Sequence, residues 1–258
     1  MVAMQPFDPL QHVEQFHLLF LSMLGRKIDG RHCILKGGCN LRFFLKSVRY
    51  SEDMDFDVWK IESHKLRDAV GGILASRPFA DILQARRLGI ERWSAPKQTE
   101  TTQRWKMGLR TPDSPVALPT KIEFSRRGPG EGARFEPVDP ALIRAYGLPP
   151  VMASHYGAEA AFAQKVEALV SRRETQARDV FDLNLLLDSG VSPPPEDPAS
   201  AGRFEEAQAK ALSIGFDVFK GQVLSFLAPE VRSQYDSKAV WDGIVLKVAQ
   251  ALAGGRKP

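Results

Sequence analysis

Three aspartates alternate with apolar residues in the segment DMDFDV, residues 53–58. Side chains on a β-strand point alternately to opposite faces, so Asp53, Asp55 and Asp57 share one face while the apolar residues face the core. Carboxylates crowded on a partly buried strand repel one another, and a divalent cation relieves that repulsion. Mg²⁺ prefers such oxygens and keeps positions open for water and phosphate. The pattern predicts a Mg²⁺ site at Asp53 and Asp55, with Mn²⁺ as the alternative ion; the competing interpretation is the solvent-facing side of an edge strand.

A glycine pair, Gly37 and Gly38, follows the apolar segment at residues 32–36 and precedes the acidic segment by 15 residues. Glycine lets the backbone approach a phosphate closely, and a helix beginning there directs its N-terminus at the same anion. The pair alone is equally compatible with a tight structural turn, but its combination with the acidic strand favours phosphate binding. The chain has no GxxxxGK[ST] segment, which excludes a P-loop.

Glu123 lies between two apolar residues in TKIEFSR, residues 120–126, another strand-like segment. It could supply a third carboxylate to the same metal site, or act as general base on an attacking hydroxyl. The alternative is a cross-strand ion pair with an arginine.

Two helical segments carry a second charged group. Lys165 lies at the edge of an apolar stripe in residues 158–173, where a lysine could reach a triphosphate as a point charge. Asp179 and Asp182, three residues apart on the next helix, could orient that lysine or an arginine. The alternative is a purely structural ion-pair network that includes Arg178 with Asp182.

The elements that must position these residues change in character along the chain. The first part alternates helices and strands, and the strand signal fades from about residue 140. We therefore predict an α/β domain at 1–150 and a helical domain at 151–258, both contributing to the active site. The predicted elements are helices at 8–25, 40–46, 63–77, 158–173 and 178–188; strands at 32–36, 53–59, around 81–93, 102–110 and 118–126; a Pro-rich break at 191–202; two or three helices in 203–254; and a frayed tail.

Composition indicates an ordinary globular chain of 258 residues with formal net charge +4. The two cysteines, Cys33 and Cys39, are too few for a secreted disulfide scaffold, and no zinc pattern surrounds them. The longest apolar run, residues 18–24, is much shorter than the roughly 20 residues of a membrane span. We expect a cytoplasmic protein without a signal peptide or membrane partner.

Positive charge is concentrated between Gln84 and Arg110, which contains seven Lys or Arg residues and two Glu residues. Trp93 and Trp105 are interleaved with these cations. Cations with exposed aromatic rings suit an RNA backbone and an unstacked end. The alternative is a solvated strand face with both tryptophans in the core.

Two segments, KGGCNLR (36–42) and RYSEDMDF (49–56), followed by Lys165 and RDVFDL (178–183), resemble the AbiEii/AbiGii-type toxin nucleotidyltransferases, including the MenT toxins. That family is part of the polymerase-β-like nucleotidyltransferase superfamily. The resemblance implies a small mixed sheet with flanking helices, followed by a helical domain. It also implies transfer of a nucleotide from an NTP to an acceptor, with RNA and above all tRNA expected, and a cognate antitoxin.

Patterns and resemblance together assign catalysis to Asp53, Asp55, Glu123 and Lys165, the first three as metal ligands. Two other functions remain open: nucleotidylation of a protein partner, such as AMPylation, or an inactive nucleotidyltransferase-like binding module. The residues expected to bind the nucleotide and its phosphates are Lys36, Gly37, Gly38, Arg42, Arg49, Ser51, Lys165, Asp179 and Asp182.

Overall fold

The computed structural model describes residues 7–128, 130–193 and 202–253, and the chain divides into two compact units. The first comprises Met1–Lys46 and Tyr50–Tyr156, and the second comprises Ser47–Arg49 and Gly157–Pro258. The first unit is α/β and the second is helical, as predicted. The first unit continues to Tyr156 because the strand that follows residue 150 belongs to its sheet.

The first unit is built around one mixed sheet. Its described elements are α1 (Pro9–Leu24), β1 (Cys33–Lys36), α2 (Gly37–Phe44), β2 (Asp53–Val58), α3 (Ser63–Leu74), α4 (Arg77–Gln84), β3 (Gly89–Gln98), β4 (Thr102–Thr111), β5 (Ser114–Ser125), β6 (Ala133–Pro137), α5 (Pro140–Ala145) and β7 (Met152–Tyr156).

The sheet has the order β3-β4-β5-β2-β1-β7-β6 among the described residues. Strand β2 lies at its centre, antiparallel to β1 and parallel to β5. Met54 and Phe56 are at most 1% exposed, and Phe56 stacks on Phe124 of β5 with ring centroids 4.9 Å apart. The apolar half of the DMDFDV alternation therefore forms core, and the aspartates lie on the other face.

The predicted strand around residues 81–93 is wrong in its first half. Ser76 caps α4 by accepting a hydrogen bond from the Phe79 amide, and Pro78 occupies its first turn. Phe79 and Leu83 lie four residues apart and are both buried, which is the helical spacing. The strand begins only at Gly89.

Two strands after residue 125 were missed. Strand β6 is exposed along its whole length, so its sequence carries no alternation of burial to reveal it. Strand β7 is short and largely buried, which removes the alternation for the opposite reason.

The second unit contains four helices in residues 203–253, more than the two or three predicted. A 3-10 turn at Leu224–Phe226 and Pro229 divide the region into shorter segments. Most of the Pro-rich segment and the terminal GGRKP lie outside the described residues. The helices are α6 (Ala158–Ser171), α7 (Ala177–Asp188), α8 (Arg203–Leu212), α9 (Phe216–Gln222), α10 (Pro229–Tyr235) and α11 (Lys238–Ala253).

Within the parts of the chain described, no helix has both the length and the apolar character needed to cross a membrane.

Candidate active site

One row of side chains crosses the open face of the sheet. Lys36 on β1 lies opposite Asp55 on β2, Asp55 lies opposite Glu123 on β5, and Glu123 lies opposite Arg104 on β4. Directly opposed residues point to the same face of a sheet. The register therefore aligns two of the predicted carboxylates between two cations.

Asp55 is the carboxylate of this row without a direct partner. It forms no hydrogen bond or ion pair with another residue in the described ranges. Burial raises the pKa of Asp55 above its ordinary value; the charge of Lys121 opposes this shift, while the charges of Asp53 and Glu123 add to it. Binding a cation to this half-buried carboxylate would stabilise its ionised form.

Asp53 lies on the same face, two residues before Asp55, and is more exposed. Its carboxylate is 3.1 Å from the Lys121 ammonium. The Ser51 hydroxyl donates a 2.8 Å hydrogen bond to the Asp53 carbonyl oxygen. Ser51, predicted to bind phosphate, thus fixes the start of β2 in this structure.

Glu123 forms the cross-strand ion pair that was the alternative to a metal role, because the Arg104 guanidinium donates to its carboxylate. Both side chains are partly exposed. Arg104 contacts only one of the two carboxylate oxygens, so the other can bind a metal or accept a proton while the pair is kept, and the metal role of Glu123 stays a prediction.

Asp57 is separated from the other two aspartates by its own partners. The Lys36 ammonium lies 2.5 Å from its carboxylate, and the Tyr156 hydroxyl donates to its other oxygen at 2.9 Å. The charge of Asp57 is therefore compensated within the first unit. The same ion pair fixes the Lys36 side chain, which lies opposite Asp55.

The glycine turn approaches the same row. Gly37 has φ +68°, the left-handed region that favours glycine, and begins α2 together with Gly38. A Cβ atom at Gly37 would lie 3.4 Å from an oxygen of Asp55. The turn therefore places its backbone beside Asp55, so a phosphate bound at the turn and a cation bound at Asp55 would be neighbours.

Arg42, also predicted to bind phosphate, is engaged elsewhere in the first unit. Its guanidinium donates to both carboxylate oxygens of buried Glu14, at 2.6 and 3.1 Å. It also packs over the Tyr50 ring, 4.4 Å from the centroid. This bidentate pair and the cation–π contact give Arg42 a structural role.

The second unit holds the other predicted charged residues in one buried cluster. Lys165 lies 3.0 Å from Asp179 and 2.6 Å from Asp182, and both aspartates are fully buried. Arg49 donates to both oxygens of Asp182, at 3.1 and 2.8 Å, and Arg172 approaches Asp179 at 3.4 Å. The predicted pairing of Arg178 with Asp182 is wrong, because Arg49 and Lys165 occupy that carboxylate.

Charge balance in this cluster favours the ionised form of Asp182. Burial alone would raise the pKa of Asp182, but the charges of Arg49 and Lys165 and their hydrogen bonds hold it below its ordinary value. One oxygen of Asp179 has no hydrogen-bond partner among the described residues. Two aspartates face three cations, so the cluster retains positive charge, which suits a phosphate.

The donor set of the first unit fits a metal held jointly by protein and substrate. In the described part of the chain, no three His, Cys, Asp or Glu side chains are grouped to hold an ion by themselves. Mg²⁺ is usually bound by one or two carboxylates with waters and phosphates rather than by a complete protein cage. Asp53 and Asp55 provide such a pair.

A set of cations, here called the basic face, continues from this site across the sheet. Lys106 lies opposite Lys121, which lies opposite Asp53, and Lys97 lies opposite Arg104. Trp105 is 1% exposed and lies in the core, as the alternative expected, whereas Trp93 is 40% exposed, as the prediction expected. Trp93 lies opposite core-facing Met107, so both rings are on the sheet face opposite the cations. The basic face comprises Arg92, Lys97, Arg104, Lys106, Arg110 and Lys121.

Several partners of the site residues have no predicted role. Lys121 is two residues before Glu123 and so lies on the same face of β5, and Arg104 lies on the polar face of β4, where polar and apolar residues alternate. The spacing of both residues was therefore sufficient to find them. Arg172 follows Lys165 by seven residues and precedes Asp179 by seven, so it too was within reach of spacing; Tyr156 was not, because its contact with Asp57 joins residues 99 positions apart.

Fold and site define a nucleotidyltransferase-type α/β unit followed by a helical unit. The family described as nucleotidyl transferase AbiEii toxin of type IV toxin–antitoxin systems matches residues 19–238. The chain belongs to this family, and it is a toxin nucleotidyltransferase.

Solved structures share the fold at low sequence identity. JHP933 from Helicobacter pylori is 18% identical with TM-score 0.59, covering 95% of this chain and 92% of its own. A putative nucleotidyltransferase from H. pylori is 17% identical with TM-score 0.60, covering 98% and 100%. The nucleotidyltransferase toxin MenT4 from Mycobacterium tuberculosis is 18% identical with TM-score 0.56, covering 96% and 94%. The comparison with curated proteins finds no match.

Proposed function

We propose that this toxin transfers a nucleotide from an NTP in a Mg²⁺-dependent reaction in which Asp53 and Asp55 hold the metal, with Mn²⁺ as a substitute. The observation that carries the proposal is the half-buried Asp55 carboxylate, which has no direct partner, lies beside Asp53 and faces the Gly37 turn. When bound, the ion supplies positive charge to the phosphates and to the attacking and leaving oxygens.

The chain's own residues bind and orient the nucleotide. The Gly37–Gly38 turn offers backbone amides at the start of α2, and Lys36 adds a cation next to Asp55. Ser51 keeps the start of β2 in place through the Asp53 carbonyl. Glu123 serves as third carboxylate, or accepts the proton of the attacking hydroxyl, through the oxygen that Arg104 does not contact.

The buried cluster of the second unit binds the triphosphate in this proposal. Lys165 and Arg49 are the donors, and Asp179 and Asp182 hold these cations in place. The net positive charge of the cluster supports the assignment, since phosphate would add the missing negative charge.

The metal assignment is tested with Asp53→Ala and Asp55→Ala, assayed for transfer from each labelled NTP over a Mg²⁺ titration. Loss of a metal-binding carboxylate should slow transfer about a thousandfold, or about 4 kcal/mol of transition-state stabilisation. Asp68→Ala, which removes an exposed carboxylate on α3, is the matched control and should keep the wild-type rate. Near-normal transfer by both test variants would refute the assignment.

We further propose that the acceptor is RNA, with tRNA foremost. The basic face supports this, since its cations lie in register with Asp53 and Asp55 and a polynucleotide backbone is a matching polyanion. Lys97 and Lys106 are exposed and form no ion pair within the described residues. Both ammonium groups are therefore available to phosphates.

The acceptor is identified by incubating labelled NTP with total RNA and with lysate protein. Label in RNA supports the proposal; label in protein would establish the AMPylation-type alternative, and no label in either would favour a binding module. The double variant Lys97→Ala, Lys106→Ala should lower RNA affinity and flatten its log–log salt dependence by about 1.4 for two contacts on a single strand. Lys220→Ala with Lys238→Ala, exposed lysines of the second unit, is the control.

A further inference from the structure

His17 is a buried histidine whose two ring nitrogens both have partners. It lies on α1 and is 0% exposed. Its Nε2 is 2.7 Å from the Thr120 hydroxyl, and its Nδ1 is 3.5 Å from the Cys39 sulfur. Burial lowers the pKa of His17 to about 3, so the ring is neutral at physiological pH.

Both partners of His17 reach the backbone at the start of β2. The Thr120 hydroxyl donates to the Glu52 carbonyl oxygen at 2.7 Å, and the Cys39 thiol lies 3.2 Å from the Asp53 carbonyl oxygen. Thr120 has one hydroxyl proton, which Glu52 receives, so Nε2–H of His17 must be the donor to Thr120. Nδ1 is then the unprotonated nitrogen, and it shares the single Cys39 thiol proton, at a sulfur distance of 3.5 Å, with the Asp53 carbonyl oxygen at 3.2 Å.

The two branches join the elements that carry the proposed site. Cys39 lies in the first turn of α2, directly after Gly37 and Gly38, and Thr120 lies on β5. The branches meet the chain at the consecutive carbonyls of residues 52 and 53, where β2 begins, two residues before Asp55. One imidazole therefore connects the glycine turn, the metal-binding strand and the strand of Glu123.

We propose that His17 is a positioning residue for nucleotide transfer: it sets the start of β2 relative to the glycine turn, so that Asp53 and Asp55 meet one metal–nucleotide complex. This inference rests on the proposed metal role of those aspartates. A histidine that merely filled space would be replaceable by an apolar residue of similar size. A histidine that positions requires a donor and an acceptor.

The chain offers a matched control on the same helix. His12 is 4% exposed and contacts Asp113 rather than β2. His17→Leu and His12→Leu remove a buried imidazole from α1 in the same way. His17→Gln retains a side-chain donor and an acceptor at the first position.

Three quantities are measured for each variant: the unfolding midpoint, the affinity for Mn²⁺ by calorimetry in the presence of a non-hydrolysable NTP analogue, and kcat with the Mg²⁺ concentration that gives half-maximal transfer. We expect His17→Leu to lower kcat at least tenfold, and to weaken Mn²⁺ binding and raise the half-maximal Mg²⁺ concentration severalfold. His17→Gln should recover most of these losses. His12→Leu should change kcat and both metal readouts less than twofold, even where its unfolding midpoint falls as far.

The inference is overturned if His17→Leu keeps wild-type metal binding and transfer, or if His12→Leu reproduces its losses. Failure of the proposed function looks different, because wild-type protein would then transfer nucleotide without Mg²⁺ dependence or bind no Mn²⁺. Should His17→Leu not fold, His17→Gln against His17→Asn decides: the longer amide should retain more metal affinity, and equal affinities would overturn the inference.

Discussion

At the scale of single residues, each unit surrounds one aspartate with a different environment. Half-buried Asp55 of the first unit has no direct partner, and its pKa is raised. Fully buried Asp182 of the second unit is paired with Arg49 and Lys165, and its pKa is lowered. A cation would therefore stabilise the ionised form of Asp55, whereas the ionised form of Asp182 is already stabilised by its partners.

Asp182→Asn should destabilise the folded protein in a pH-dependent way. Breaking a buried ion pair leaves the other charges uncompensated, which costs about 3 kcal/mol at pH 7. The folded-state pKa of Asp182 lies below its ordinary 3.8, so its stabilising contribution is present above that value and is lost as pH falls through the folded-state pKa. Urea unfolding of wild type and variant at pH 7 and at successive values below 3.8 should show the difference shrinking.

Asp188→Asn is the control for that measurement. Asp188 is on the same helix, but its pair with Lys247 is about half exposed, and such pairs contribute less than about 1 kcal/mol. Equal losses for Asp182→Asn and Asp188→Asn at pH 7 would contradict the structural role assigned to the buried cluster.

At the scale of elements, the β1–α2 turn connects backbone conformation to the site. Gly37→Ala should lower transfer strongly. Its φ of +68° costs an L-residue about 1–2 kcal/mol, and the new methyl group would press on Asp55 at 3.4 Å. We expect Gly37→Ala to have a lower unfolding midpoint. We also expect the transfer rate per folded molecule to fall, so that the smaller amount of folded protein does not account for the whole loss. Transfer assays well below the midpoint separate the two effects.

Gly72→Ala provides the comparison for the turn. Gly72 lies within α3, with nothing within 4 Å of an added Cβ, so alanine should raise stability by up to about 1 kcal/mol and leave transfer unchanged. If Gly37→Ala behaves like Gly72→Ala, the turn is only a connection between elements.

Elements were predictable where burial alternates and not where it is uniform. Strand β2 was found because Met54 and Phe56 face the core while the aspartates do not. Strand β6, exposed throughout, and β7, almost wholly buried, give no such alternation. Candidate site residues were found through charge spacing along one strand or helix, but pairs such as Tyr156–Asp57 and Arg49–Asp182 join residues about 100 or more positions apart. The spacing of residues within one strand or helix carries no information about such long-range pairs.

At the scale of the whole molecule, toxicity should depend on the same carboxylates as transfer. Expression of the chain alone in a bacterium should arrest growth, and Asp55→Asn should relieve the arrest, because the family is that of nucleotidyltransferase toxins. Growth curves with immunoblots of soluble protein check this. Arrest by Asp55→Asn at equal protein levels would separate toxicity from nucleotide transfer. Co-expression of a cognate antitoxin, which the family implies, should restore growth to cells producing wild type.

The order of strands in the sheet also determines how much of the chain must be synthesised before the active fold can form. Asp55 pairs with Glu123, 68 residues later, and Ile34 of β1 pairs with Ser154, 120 residues later. Ribosomes add roughly 5–20 residues per second, and pairings between distant segments form slowly. A nascent chain therefore passes several seconds with its acidic strand made but its sheet incomplete. Ribosome-bound fragments that end before Ser114 lack β5 and its Glu123, so they cannot assemble the carboxylate row. Formation of the candidate site must therefore wait until this strand has been synthesised.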